Sequence, residues 1–108
     1  MVYQISYDLV STTADYTAWY DKLKSLGEAI PALQSTWLLS TESTAEQITD
    51  ALSPLTKPGD RFLVSRIETS KYNGWHNKTT WDWIRAKLIP PRQNADNPSV
   101  RPVSQPGD

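Results

Sequence analysis

The chain has 108 residues and a formal net charge of −1, with five Trp, five Tyr, one His and no Cys. This length supplies one hydrophobic core, and the missing cysteines and single histidine exclude a disulfide framework, a zinc finger and a histidine-rich metal site. Because the sequence has neither a long apolar run nor a secretory leader pattern, we expect a cytoplasmic protein without membrane contact.

The N-terminal part of the chain predicts a strand followed by a helix. Residues 2–9 alternate apolar and polar side chains, the period-two pattern of a half-buried strand. Apolar residues then recur at helical spacing after Thr12 and Asp15, which stand three apart as in a capping box. We expect this helix to start at that pair and to end at Gly27.

The middle of the chain repeats this order. A second extended run covers residues 33–39, and the segment 28–41 is long enough to bend into two short paired strands. Ser43 and Glu46 have capping-box spacing and predict the start of a second helix. Pro54 is expected to end or kink that helix, because proline lacks an N–H group and clashes with the preceding turn.

The remainder of the chain predicts a strand, a loop and a short helix. Residues 62–67 form a third clear strand pattern, residues 68–78 read as a polar loop, and residues 80–88 have helical spacing. Together these elements predict an α+β fold, a ferredoxin-like βαββαβ sandwich over residues 1–89 with an added C-terminal helix. The Pro-rich tail, residues 90–108, has too few apolar residues to form its own core.

Asp8 is the acidic residue that lies inside a strand pattern, at the carboxyl end of the first strand. Such a position suits a ligand of a hard cation such as Mg²⁺. The alternative is that Asp8 caps the following turn, where Ser11 and Thr12 offer backbone N–H groups. A single carboxylate rarely holds a metal, although a homodimer could bring two copies of Asp8 together.

Four short motifs carry a resemblance to a known family. They are Ser-Tyr-Asp-Leu at 6–9, Lys-Ser-Leu-Gly at 24–27, Leu-Gln-Ser-Thr-Trp at 33–37 and Pro-Gly-Asp-Arg-Phe-Leu-Val at 58–64. Over residues 2–88 the chain resembles the small CRISPR-associated ferredoxin-like family that serves as dimeric partner of the spacer integrase. It is more similar still to the SinR-like and VapD-like relatives of that family, which occur outside CRISPR loci.

The resemblance implies a homodimer and a candidate site. In some members the first-strand aspartate, here Asp8, binds Mg²⁺ or Mn²⁺ and promotes phosphodiester hydrolysis. The Gln-Ser-x-aromatic stretch of the family falls on Gln34, Ser35 and Trp37, which are expected to lie near the cleft of this site. Nucleolytic members carry arginines soon after the aspartate, whereas residues 9–21 contain none here.

The charge is unevenly distributed. Residues 1–60 hold three lysines and eight acids, whereas residues 61–108 hold eight basic residues and four acids. The basic part interleaves cations with aromatic residues, which suits phosphate contacts, base stacking or a second protein. The candidate contact residues there are Lys71, Tyr72, Trp75, Arg85 and Arg92. The alternative is that Trp81 and Ile84 pack the last helix on the sheet, with the cations in solvent and His76 in a surface loop.

Three functional hypotheses follow from the sequence. The first is a non-catalytic dimeric binding module in a phage-defence or toxin-antitoxin context, with a second protein held through the C-terminal region. The second is a Mg-dependent ribonuclease or deoxyribonuclease with Asp8 as metal ligand. The third is single-strand nucleic-acid binding on the exposed sheet face. We expect the homodimer to form by strand addition or sheet-face contact rather than by helix packing.

Overall fold

The computed structural model describes residues 1–88. The described elements are β1 (Val2–Asp8), α1 (Thr17–Ser25), β2 (Glu28–Leu33), β3 (Thr36–Ser40), α2 (Ala45–Leu52), a 3-10 turn (Ser53–Leu55), β4 (Arg61–Ile67) and α3 (Lys78–Leu88). No helix among residues 1–88 has the length and apolar character needed to cross a membrane. The predicted tail, with Arg92, lies outside the described residues, as does the last residue of the predicted domain.

The four described strands form one antiparallel sheet in the order β2-β3-β1-β4. The segment 28–41 bends at Gln34 and Ser35 into the two paired strands that its length predicts. With three helices among residues 1–88, this sheet fits a ferredoxin-like fold in outline and confirms the α+β class.

Helices α1 and α2 contribute to the main core on one face of the sheet, which we call the core face. Its buried residues come from β1, β3 and the two helices and comprise Tyr3, Ile5, Trp19, Leu23, Leu39, Ile48 and Leu52. Trp19 is completely buried, and its ring lies 5.0 Å from that of Tyr7 and 6.1 Å from that of Phe62. A single aromatic side chain of α1 therefore joins β1 to β4.

The start of α1 differs from the prediction. The helix begins at Thr17, whose N–H and hydroxyl both donate to the Asp15 carboxylate, at 2.9 and 2.6 Å. The predicted start at Thr12 is wrong because Ser11 Oγ accepts the backbone N–H groups of Thr13 and Ala14. Those bonds hold a turn before the helix, as Ser side chains do in competition with helical bonds.

The cap of α2 lies one residue later than predicted. Thr44 and Gln47 form the reciprocal capping box, with hydrogen bonds of 3.1 and 2.9 Å, and the Ser43–Glu46 pair does not. Ser43 is used elsewhere, because its carbonyl accepts the Tyr3 hydroxyl at 2.9 Å. The α-helix ends at Leu52, and a 3-10 turn that contains Pro54 follows it. This confirms the predicted helix end.

Helix α3 packs on the opposite face of the sheet, which we call the second face. Thr80 and Ile84 are its buried residues. Ile84 lies beside Leu38 of β3, which is also buried, whereas Trp81 remains half-buried. Helix α3 therefore shields part of the second face. None of the described helices covers the rest of that face.

Candidate binding surface

A row of four residues crosses the open part of the second face. Leu63 pairs with Ser6, Ser6 pairs with Thr36, and Thr36 pairs with Leu33, so the row spans all four described strands. The hydroxyls of Ser6 and Thr36 hydrogen-bond to each other at 3.2 Å. The two leucines at the ends are 66% and 59% exposed. This cross-strand row has a polar centre and an exposed apolar residue at each sheet edge.

Asp8 lies at the end of β1, beyond this row and paired with Arg61 across the strands. Its carboxylate is 3.7 Å from the Arg61 guanidinium, and both side chains are largely exposed. Among residues 1–88, no three His, Cys, Asp or Glu side chains gather where they could hold a metal. One carboxylate that faces a guanidinium does not supply the several oxygen ligands that Mg²⁺ prefers. Metal binding by Asp8 therefore gains no support from this geometry and stays a prediction.

The turn after β1 is held by Asp60 and Tyr16 rather than by Asp8. Asp60 Oδ1 accepts the Val10 N–H and the Tyr16 hydroxyl, both at 2.8 Å, and Oδ2 accepts the Lys57 N–H at 2.7 Å. The Ser11 N–H in turn donates to the Tyr16 hydroxyl at 3.1 Å. The alternative that Asp8 caps this turn through Ser11 or Thr12 is wrong, because the Ser11 N–H binds Tyr16 and no backbone N–H within residues 1–88 donates to the Asp8 carboxylate.

Ionisation of Asp60 is favoured by these contacts. Desolvation opposes the charged form, but the hydrogen bonds from Val10, Lys57 and Tyr16 outweigh it and hold the pKa of Asp60 below its ordinary value. The sequence marks 58–60 as a Pro-Gly-Asp turn, and Asp side chains often bind backbone in such turns. That signal indicates a local role and gives no hint of the contact with the β1–α1 turn.

The structure separates the residues of the Gln-Ser-x-aromatic stretch. Gln34 and Ser35 form the β2–β3 turn, and Ser35 shares a shallow cleft with Asp8. Trp37 lies on the core face, where its ring is 6.3 Å from that of Tyr20. Trp37 pairs with Ile5 of the core face, and Asp8 lies three residues further along β1, so Trp37 and Asp8 are on opposite faces of the sheet. Trp37 therefore does not share the cleft of Ser35 and Asp8.

The predicted contact residues of the C-terminal part lie in the loop 68–77, which contains Lys71, and on α3. Tyr72 stacks on Trp81, with ring centroids 6.1 Å apart, whereas Trp75 is fully exposed. Arg85 and Lys78 both donate to Asp82, at 2.7 and 2.6 Å. The hydrogen bonds from Lys78 and Arg85 hold the pKa of Asp82 below its ordinary value.

The two edge strands of the described sheet differ in whether they can pair with a further strand. On the β2 edge, Pro31 has no N–H to offer, and the register shifts between Pro31 and Leu33. The His76 imidazole also binds the Ala32 carbonyl there, at 2.5 Å. On the other edge, β4 contains no proline, and its outer side pairs with no strand among residues 1–88. The β2 edge is therefore blocked, whereas β4 can accept another strand.

Comparison with known proteins does not assign the chain to a family. No protein-family model matches it, and no solved structure gives a significant match. The function is therefore inferred from the open second face and the unblocked β4 edge.

Proposed function

We propose that this protein is a non-catalytic dimeric binding module in which two copies join along β4. The observation that carries the proposal is the difference between the blocked β2 edge and the open β4 edge. An open edge strand presents unpaired N–H and C=O groups that template another strand. A second copy is the occupant that we infer, because an antiparallel pair of identical strands about a two-fold axis satisfies both edges at once.

The residues of β4 favour one register for this pairing. With Leu63 on the two-fold axis, the exposed leucines of the two copies become a cross-strand pair and shield each other from water. Arg66 then lies opposite the partner's Asp60, which places opposite charges together at each end of the interface. The cross-strand rows of the two copies form one continuous surface in this arrangement.

An edge-paired dimer also bears on the nuclease alternative. The two Asp8 residues would lie on β1 of each copy, at least three strand spacings apart, or about 14 Å. That separation is too large for a shared metal ion. The edge dimer therefore favours a binding role over an Asp8-dependent nuclease whose two carboxylates meet across the axis.

The sequence resemblance supports the same proposal. The resemblance to the CRISPR-associated ferredoxin-like family and its SinR-like and VapD-like relatives implies a βαββαβ topology, and the described elements follow the order β1, α1, β2, β3, α2, β4. Dimeric members of that family offer a precedent for association. A defence or toxin-antitoxin setting is part of this proposal and rests on the resemblance alone.

Leu63→Asp tests the interface, with Leu33→Asp as the matched control. Both leucines end the same cross-strand row and have similar exposure, but they lie on opposite sheet edges. In sedimentation velocity at micromolar concentration we expect dimers for the wild type and for Leu33→Asp, and monomers for Leu63→Asp, since the two aspartates would repel on the axis. A monomeric wild type, or equal effects of the two substitutions, would contradict the proposal.

A further inference from the structure

A cavity of about 210 Å³ lies between α3, the loop 68–77 and the second face. Six of its lining residues are Gln4, Thr36, Leu38, Trp75, Trp81 and Ile84. It exceeds the roughly 150 Å³ cavity that admits benzene and is smaller than the roughly 300 Å³ of the smallest drug-sized pockets. A single planar ring system is therefore the size of ligand that it fits.

Trp75 stands at this cavity with its side chain in solvent. The indole is fully exposed, although the loop on either side is anchored. On one side Tyr72 stacks on Trp81 of α3, and on the other the His76 imidazole binds the Ala32 carbonyl of β2. Trp75 thus presents an indole to solvent beside the cavity. Its ring is available to stack on a planar ligand.

Gln4 supplies a hydrogen-bonding group to the same cavity. Its Nε2 donates to Ser6 Oγ at 3.3 Å, and its Oε1 accepts no hydrogen bond within residues 1–88. A side-chain amide offers a donor and an acceptor side by side, the arrangement that matches the edge of a nucleobase. An apolar ligand would leave this amide oxygen without a partner.

The surroundings of the cavity are cationic. Residues 69–88 hold four basic side chains, Lys71, Lys78, Arg85 and Lys87, and one carboxylate, Asp82. Asp82 engages Lys78 and Arg85, and Glu28 engages Lys87, so three of the four cations are paired with carboxylates within residues 1–88. Arg85 also lines a cleft that adjoins the cavity, from which it is separated by the stacked rings of Tyr72 and Trp81.

We propose that this cavity binds a nucleobase, which stacks on Trp75 and hydrogen-bonds to Gln4. The phosphate attached to that base lies in the adjoining cleft near Arg85. The base can come from a free nucleotide or from a single strand, since both present the same ring and phosphate. This site is independent of the β4 edge, so it does not depend on the proposed dimer.

Binding assays on the full chain test the proposal. Dye-labelled oligo(dA) and oligo(dT), each of twelve nucleotides, report single-strand binding by fluorescence anisotropy. Calorimetry with AMP reports nucleotide binding. Ribose 5-phosphate is the control that carries the phosphate without a base. Trp75→Ala is expected to weaken binding at least about fivefold, the loss typical of removing a stacked aromatic ring. Gln4→Leu is expected to weaken it as well.

The matched control is Trp83→Ala, because Trp83 is a half-buried tryptophan of α3 that packs near Lys87 and does not line the cavity. We expect this variant to bind as the wild type does. Binding of AMP supports a nucleotide ligand, and binding of the oligonucleotides alone supports a single strand. The proposal is overturned if neither probe binds at millimolar concentration, if ribose 5-phosphate binds as well as AMP, or if Trp83→Ala loses as much affinity as Trp75→Ala.

Discussion

The imidazole of His76 binds the backbone carbonyl of Ala32, 44 residues earlier in the chain, at a distance of 2.5 Å. Nδ1 of the same ring accepts the Asn77 N–H at 2.8 Å. Both ring nitrogens of His76 therefore contact backbone groups. The contact fastens the loop 68–77 to β2 and occupies a carbonyl that an incoming strand would need.

His76→Ala should release this loop without unfolding the sheet. We expect faster amide hydrogen exchange over residues 68–77 and a stability loss of about 1 kcal/mol, the usual net contribution of one hydrogen bond. Exchange in β1 should stay slow. Lys71→Ala is the control within the loop, and unchanged exchange in His76→Ala would show that the contact does not anchor it.

Asp60 should make the free energy of unfolding depend on pH. Because its pKa is lower in the folded chain than in the unfolded one, its contribution is complete above the ordinary pKa of an aspartate and is lost as the pH falls through the folded value. Asp60→Asn should therefore be less stable than the wild type at pH 7, and the difference should shrink below about pH 4. Urea unfolding at pH 7 and pH 3 measures both.

Asp50→Asn is the control for Asp60→Asn. Asp50 is an exposed residue of α2 whose side chain makes no ion pair or hydrogen bond within residues 1–88. We expect it to leave the pH dependence as in the wild type. An Asp60→Asn protein with the same acid sensitivity as the wild type would contradict the proposed role of the three hydrogen bonds.

Local patterns in the sequence predict most of this fold. Alternation over residues 2–9 identifies β1, the strand pattern of residues 62–67 identifies β4, and the length of the segment 28–41 predicts the hairpin that supplies β2 and β3. Helix starts are displaced because Ser, Thr and Asp side chains compete for the same backbone groups. Tertiary partners help to decide which side chain caps each helix, as Tyr3 does by binding the Ser43 carbonyl. No local sequence pattern contains those partners.

The candidate surfaces are less predictable than the fold. Tyr72 and Trp75 are visible as aromatic loop residues, but their relation to Gln4 arises only when α3 folds back over the second face. The separation of Trp37 from Asp8 follows from strand alternation once the pairing of β1 with β3 is known. The roles of His76 and Asp60 depend on contacts 44 or more residues away, which spacing does not encode.

Trp19 should be the most sensitive position of the core. Trp19→Ala should cost about 3–5 kcal/mol in the free energy of unfolding, because it leaves a large cavity between α1 and the core face of the sheet. Trp19→Phe should cost clearly less, since a ring still fills much of the space. It also removes a buried Nε1 group that has no hydrogen-bond partner within residues 1–88. Equal losses in urea unfolding would argue against this packing role.

Asp8→Asn separates the binding module from the nuclease alternative. We expect neither the wild type nor this variant to cleave labelled RNA or DNA in the presence of Mg²⁺. The stability of the variant should change by under about 1 kcal/mol, because exposed ion pairs such as that with Arg61 contribute little. Mg²⁺-dependent cleavage that is lost both in Asp8→Asn and on addition of EDTA would establish the nuclease instead.

The most direct test of the β4 dimer is a disulfide placed on its two-fold axis. The natural chain has no cysteine, so a single Leu63→Cys substitution can cross-link only to another copy. Residues directly opposite in an antiparallel pair have Cα atoms about 4.5–5.5 Å apart, a separation that a disulfide can span. Under mild oxidation we expect Leu63→Cys to form a covalent dimer in high yield and Leu33→Cys, on the blocked edge, to stay monomeric in denaturing electrophoresis. A Leu63→Cys protein that does not cross-link, or a Leu33→Cys protein that cross-links as readily, would contradict association along β4.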